Sequence, residues 1–260
     1  MSRRSKRESF KYRNYYVESL AHEGRGIARD QGKTVFVQNG LPGETVLAKV
    51  TKSKTLFDEA DAIEIENPSP HRRKPRCPHY GVCGGCSLQH MSPEHQRNHK
   101  ERVLLELLKH RAGVEPEKIM KPISGAAWGY RRRARLSAKS VDGKGGVIVG
   151  FRERNGRYVT NCEQCDVLDQ RVGGRIVQIR DTLRRLSVAS SIPQVEVAAS
   201  ETAVVLVVRH LERLSISDEA LLTELQRDSG LVIYLQSSGP ESVRPLTSLP
   251  TKLSYKIDAT

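Results

Sequence analysis

Three cysteines, Cys77, Cys83 and Cys86, crowd into the stretch RCPHYGVCGGCSLQH with C-x5-C-x2-C spacing. Two more, Cys162 and Cys165, lie far downstream. Soft thiolates gathered in one short loop select zinc or an iron–sulfur cluster. Gly81, Gly84 and Gly85 let the loop backbone wrap closely around a bulky group. The three local ligands need a fourth, which only a distant part of the chain supplies. Such a centre fastens two remote stretches of one fold. His79 and His90 flank the loop and are possible zinc ligands. With a fourth cysteine available they read as structural. The five cysteines are an odd number, and MSRRSKRESFKYRN has no apolar h-region. A disulfide framework and a secretory leader are both disfavoured.

Charge sets the kind of partner. Forty-three Lys and Arg against 30 Asp and Glu leave a net charge of +13. That balance favours a polyanion, with membrane lipid the weaker alternative because no amphipathic basic helix stands out. No apolar run reaches the length of about 18 residues that spans a bilayer. Residues 1–11 are a basic tail that either touches phosphates or is a disordered start.

Turn signals divide the chain. Short β-prone runs at Tyr15–Leu20, Thr34–Val37, Thr45–Val50 and Asp58–Ile65 are separated by Gly24-Arg25-Gly26, Asn39-Gly40 and Pro42-Gly43. They predict a small all-β barrel over 12–68. The cysteine loop occupies 69–91 and a helical segment 92–125. In that segment Ser92 is the N-cap, Pro93 opens the first turn and Gly113 is the stop. Residues 126–260 mix strands and helices as an α+β central domain. It has a hairpin from Arg131–Ala138 to Val147–Glu153, a helix over 168–187 and strands at Gln194–Ala199 and Ala203–Arg209. A helix over Ser217–Arg227 and strands at Leu231–Gln236 and Leu253–Ile257 follow.

VESLAHEGRGIARDQGKTVFVQNGLPGETVLAKV resembles a TRAM domain, an OB-like barrel that binds RNA. CPHYGVCGGCSLQH, YRRRARLS and GFRERNGRYVTNCEQCDVL resemble the iron–sulfur segment and central domain of the 23S rRNA uracil-C5 methyltransferases. The resemblance implies a [4Fe–4S] cluster held by Cys77, Cys83, Cys86 and Cys165. Cys165 precedes Asp166-Val167-Leu168, where the family commonly has proline after the cysteine. Cys162, three residues earlier, is the other distant thiol. The resemblance also implies S-adenosylmethionine as methyl donor, 23S rRNA as partner and a cytoplasmic location, with no membrane or DNA. Oligomeric state is left open.

In the family a further Rossmann-like domain binds S-adenosylmethionine and supplies the cysteine nucleophile. Residues 256–260 fall about where it begins. Gly143-Lys144-Gly145-Gly146 sits in a hairpin and fails the test for a nucleotide loop. The chain is therefore expected to be a truncated or split copy that is inactive alone, with no catalytic or S-adenosylmethionine-binding residue of its own. Cys162 reads as a buried thiol or alternative ligand before it reads as a nucleophile. The helix over 92–112 is expected to pack on that further domain, leaving Leu104 and Leu108 exposed.

Alternation along a strand puts Arg131, Arg133 and Arg135 on one face, suited to phosphates, and Arg132 on the other. Trp128 and Tyr130 are candidates for base stacking. In the barrel, Arg25, Arg29 and Lys33 cluster near the glycine turn. His71 to Arg76 form a second basic cluster, equally readable as a linker. Three competing readings remain. One is a stand-alone, non-catalytic RNA-binding module, and one is a zinc-stapled RNA binder. The last is a radical methylthiotransferase-like enzyme, which the x5 spacing and the leading TRAM domain disfavour.

Overall fold

The computed structural model describes residues 11–247 and 252–256, apart from 142, 144 and 155. Residues 1–10 of the basic tail, two residues of the predicted 142–145 turn and Ile257 of the last predicted strand lie outside the described residues. The chain divides into two compact units. One spans Met1–Pro75 with Ser87–Ile123, the other Arg76–Cys86 with Ser124–Thr260. The cysteine stretch therefore contributes to both units, and every cysteine belongs to the second.

The first unit holds a six-stranded sheet. Its strands are β1 (Tyr12–Tyr16), β2 (Ser19–Leu20), β3 (Gly26–Asp30), β4 (Lys33–Gln38), β5 (Thr45–Ser53) and β6 (Phe57–Ile65), in the order β1-β5-β6-β4-β3-β2. Neighbours are antiparallel except β4 and β6, which run parallel. Alternation decides which side is buried. Val35 and Val37 on β4, with Val46 and Ala48 on β5, point inward and join Tyr15, Val17, Ala28 and Ala60. Arg13 on β1 bonds Asp30 on β3, outside the ladder order, so the sheet curls towards closure. β3 was not predicted, because its leading glycines read as a turn.

Leu41-Pro42-Gly43-Glu44 explains itself here. Glu44 is fully buried. Its carboxylate accepts from the Leu41 amide at 2.8 Å and the Ser69 amide at 2.9 Å. Arg72 completes a two-pronged ion pair at 2.6 Å to each oxygen. Burial pushes the Glu44 carboxyl up, but the bonds from Arg72, Ser69 and Leu41 outweigh it and hold it below its ordinary value.

α1 (Pro93–Leu107) begins as predicted, with the Ser92 hydroxyl accepting from the His95 amide. A π-helical turn at Leu108–Ala112 follows, and Gly113 caps it in the left-handed region at φ 65°. α1 buries only His99. Leu104 is exposed as expected, but its exposed companion is Leu107, while Leu108 is half-buried.

The second unit is a six-stranded sheet with helices. β7 (Arg133–Val141), β8 (Gly146–Gly150), β9 (Gln194–Ala199), β10 (Val204–Arg209), β11 (Val232–Gln236) and β12 (Arg244–Pro245) lie in the order β12-β11-β10-β9-β7-β8. β10 and β11 run parallel, joined through α4 (Ile216–Ser229), while the other pairs are antiparallel. Ser215 and Asp218 form a capping box that starts α4. The predicted helix over 168–187 is two helices, α2 (Gln170–Gly173) and α3 (Ile176–Arg185), because Gly173-Gly174 interrupts it. Ile176, Ile179 and Leu183 still share the buried stripe that their spacing predicted. Residues 253–256 form no strand.

Removing half of the Glu44–Arg72 pair leaves a buried charge uncompensated. Glu44→Ala is expected to cost about 3–5 kcal/mol of first-unit stability. Because the folded carboxyl sits below its ordinary value, its contribution is full above the unfolded value of about 4.3 and is lost as pH falls through the folded value. Hydrogen exchange of the β4 and β5 amides checks this. Parent protein should lose protection on acidification below that point, and Glu44→Gln should show low protection already at neutral pH. Equal protection in both would refute the role given to the pair.

A thiol cluster beside an arginine-lined cleft

Short turns fold the cysteine loop on itself. The Tyr80 amide donates to the Cys77 carbonyl at 3.1 Å, and the Cys83 amide to the His79 carbonyl at 2.9 Å. The loop then runs as paired backbone beside residues 152–154. Cys83 bridges Glu153, the Gly84 amide donates to Arg152 O at 2.9 Å, and the Arg154 amide donates to Val82 O at 2.9 Å. The Arg154 guanidinium also reaches the Cys86 carbonyl and lies over the Tyr80 ring. A Cβ on Gly84 would fall 2.8 Å from Arg152 O, so only glycine allows this approach.

The distant pair is held separately. The Cys162 amide bonds Val149 O at 3.0 Å, and the Cys165 amide bonds Gly173 O at 2.9 Å. A Cβ on Gly173 would stand 2.4 Å from the Cys165 carbonyl oxygen. Gly173, the last residue of α2, is thus the glycine that seats Cys165. The Glu163 amide donates to His79 Nε2 at 3.1 Å, which gives His79 a structural task. His90 is buried in the first unit. Asp166 follows Cys165 directly. Its carboxylate is buried, with Arg76 Nε at 3.6 Å and Gln164 Nε2 at 3.3 Å.

The five thiols are electrostatic neighbours. Burial pushes Cys77 up, with Cys83, Asp166 and Cys86 adding to it through their charge. Burial likewise pushes Cys165 up, with Cys86 and Cys77 as charged neighbours. Cys83 and Cys162 share a hydrogen bond that lowers Cys83 and raises Cys162. Among the described residues, no group of three or more His, Cys, Asp or Glu side chains has the arrangement that holds a single metal ion.

Beside the loop lies an open cleft of about 710 Å³. Arg131, Arg133 and Arg135 line it together with Arg152, Gly84 and Gly85. Arg131 is anchored by its backbone, donating to Val167 O at 2.8 Å and accepting from the Asp169 amide at 3.0 Å. Its guanidinium lies 5.6 Å from the centre of the Phe151 ring. Arg135 pairs with Glu196 at 3.0 Å. Arg132, as alternation predicted, is not in this set and lies 3.9 Å from Asp169. Among the described residues, no carboxylate pairs with Arg133 or Arg152.

The other predicted contacts are placed differently. Trp128 packs against the second unit's core, with Arg76 5.3 Å over its ring, so the indole face is already covered. Tyr130 is exposed. Arg25 lies over Phe36 and bonds Glu23, Arg29 bonds Thr34, and Lys33 bonds Asp58 at 2.6 Å. Two of the three barrel cations are thus matched by carboxylates of the barrel itself. Arg152 was missed, because nothing local in GFRERN tells which arginine faces the cleft.

Comparison with known proteins defines the class first. Residues 6–63 match the TRAM domain family model. The chain is 44% identical to the 23S rRNA (uracil(1939)-C(5))-methyltransferase RlmD of Alkalilimnicola ehrlichii, over 98% of its own length and 57% of the relative's. It is 44% identical to the corresponding enzyme of Vesicomyosocius okutanii, over 98% of its own length and 58% of the relative's. A Pyrococcus abyssi tRNA (uracil-54, C5)-methyltransferase, solved with S-adenosyl-L-homocysteine, shares the fold. Its TM-score is 0.57 at 18% identity, covering 88% of this chain and 52% of that one. The chain is similar to these 23S rRNA uracil-C5 methyltransferases along nearly its whole length and spans somewhat more than half the length of the curated relatives it matches.

Gly173 gives a direct test of how Cys165 is seated. Gly173→Ala forces a Cβ against the Cys165 carbonyl and is expected to cost about 1–3 kcal/mol, as overpacking does. Urea unfolding followed by Trp128 fluorescence measures it. An unchanged midpoint would show that the backbone has room to spare.

Proposed function

We propose that this chain is the RNA-recognition and iron–sulfur part of an S-adenosylmethionine-dependent 23S rRNA uracil-C5 methyltransferase of the cytoplasm. The observation that carries the reading is the clustering of Arg131, Arg133 and Arg135 in one cleft beside the cysteine loop. Guanidiniums along one face suit phosphate, and three of the cleft's four, Arg131, Arg133 and Arg152, have no carboxylate to neutralise them among the described residues. The match to the relatives across both units supports the same conclusion.

Cys77, Cys83, Cys86 and Cys165 would hold a [4Fe–4S] cluster, and the donor set fits. It is all thiol, with Cys165 buried and Cys77, Cys83 and Cys86 half-buried, as soft-ligand iron–sulfur binding requires. Cys165, with Cys86 and Cys77 as charged neighbours, is taken as the fourth ligand, and Cys162, bonded to Cys83, is the alternative. The cluster would supply a rigid cross-link between loop and core. S-adenosylmethionine supplies the methyl group in this family, and no residue of this chain is assigned to it. What these residues contribute is binding and orientation of the RNA.

Two measurements test the reading. Cys165→Ser should lose its iron when purified without oxygen, and Cys162→Ser should keep it; the reverse would exchange the two roles. Arg131→Ala with Arg133→Ala should weaken binding to a 23S rRNA fragment and flatten the salt dependence by about 0.9 units per lost phosphate contact. A folded double variant with unchanged affinity and slope would make the strand a plain solvated face.

A further inference from the structure

The cleft has a fourth arginine that comes from a different element. Arg152 lies beyond β8, exposed, on the segment paired with the cysteine loop. It lines the cleft opposite in sequence to the β7 arginines, together with Gly84 and Gly85. Its carbonyl accepts from the Gly84 amide, and its neighbours Glu153 and Arg154 are bonded to Cys83 and Val82. Across the short turn, Arg152 also bridges Val159, so it is held on two sides by backbone. Arg157, on the same turn, is equally exposed but does not line the cleft.

Resting on the RNA-binding reading above, we propose that Arg152 is a fourth phosphate-contacting residue of the cleft, and that the cysteine loop is its positioning element. A phosphodiester in the cleft would then meet guanidiniums from two walls. One wall is β7 and the other is the loop-paired segment, whose place depends on the backbone of residues 82–84. Phosphate contacts fix register without reading sequence. Arg152 should accordingly strengthen binding to every RNA tested by a similar factor.

The test is fluorescence anisotropy of a labelled 23S rRNA fragment over a series of KCl concentrations, using the full chain with its metal in place. Arg152→Ala should weaken binding severalfold and lower the salt slope by about one unit. Arg157→Ala removes the same charge outside the cleft and should stay within about twofold of the parent, as expected for screened charge. Gly84→Ala keeps every arginine and every thiol but pushes on Arg152 O. It should weaken binding. If Arg152→Ala binds like the parent while the Arg131 and Arg133 double variant is weakened, this proposal fails and the RNA-binding reading stands. If neither is weakened, the reading itself fails. If Gly84→Ala binds like the parent while Arg152→Ala does not, the loop does not position the residue. Should Gly84→Ala not fold, the comparison of Arg152→Ala with Arg157→Ala still decides the first half.

Discussion

Residues 82–84 lie against residues 152–154 as paired backbone, and much of the second unit's chemistry depends on that contact. It costs one glycine, Gly84, whose missing Cβ permits the approach to Arg152 O. It sets Cys83 beside the segment that leads to Cys162 and Cys165, and it puts Arg152 on the wall of the cleft. A second close approach, Gly173 against the Cys165 carbonyl, seats the distant thiol from the other side. The thiols and the arginines are therefore built on one scaffold, and a distortion of either glycine reaches both.

A net charge of +13 alone would attract any polyanion, so the arrangement of the charge carries the information. In the first unit, Arg25, Lys33 and Arg13 are matched by Glu23, Asp58 and Asp30, and Arg72 is spent on the buried Glu44. Those cations stabilise the barrel more than they advertise for RNA. In the second unit, Arg133 and Arg152 face the cleft with no carboxylate partner among the described residues. Arg76 is an intermediate case, since it lies beside Asp166 and covers Trp128 at once.

Where local chemistry decides, the sequence was readable. Ser92, Pro93 and Gly113 bounded their helix because caps act over one turn, and β9 fell at Gln194–Ala199 as predicted. The arginine face of β7 followed from the strand period of two. The misses came from contacts between distant residues. The 168–187 helix is interrupted just after Gly173, which packs against Cys165, a demand no helical periodicity displays. Trp128 looked free to stack on a base, but Arg76, 52 positions away in the chain, covers it. Arg152 owes its place in the cleft to a loop 68 residues upstream. The five cysteines were conspicuous from the start, while their grouping rests on a fold that spacing alone does not specify.

Metal content tests the central claim most directly. Chain purified without oxygen, and assayed for iron, acid-labile sulfide and zinc, should be brown with about four irons and four sulfides per molecule. Colourless protein carrying one zinc and no sulfide would contradict the account, because a single small ion would then be what draws the thiols together.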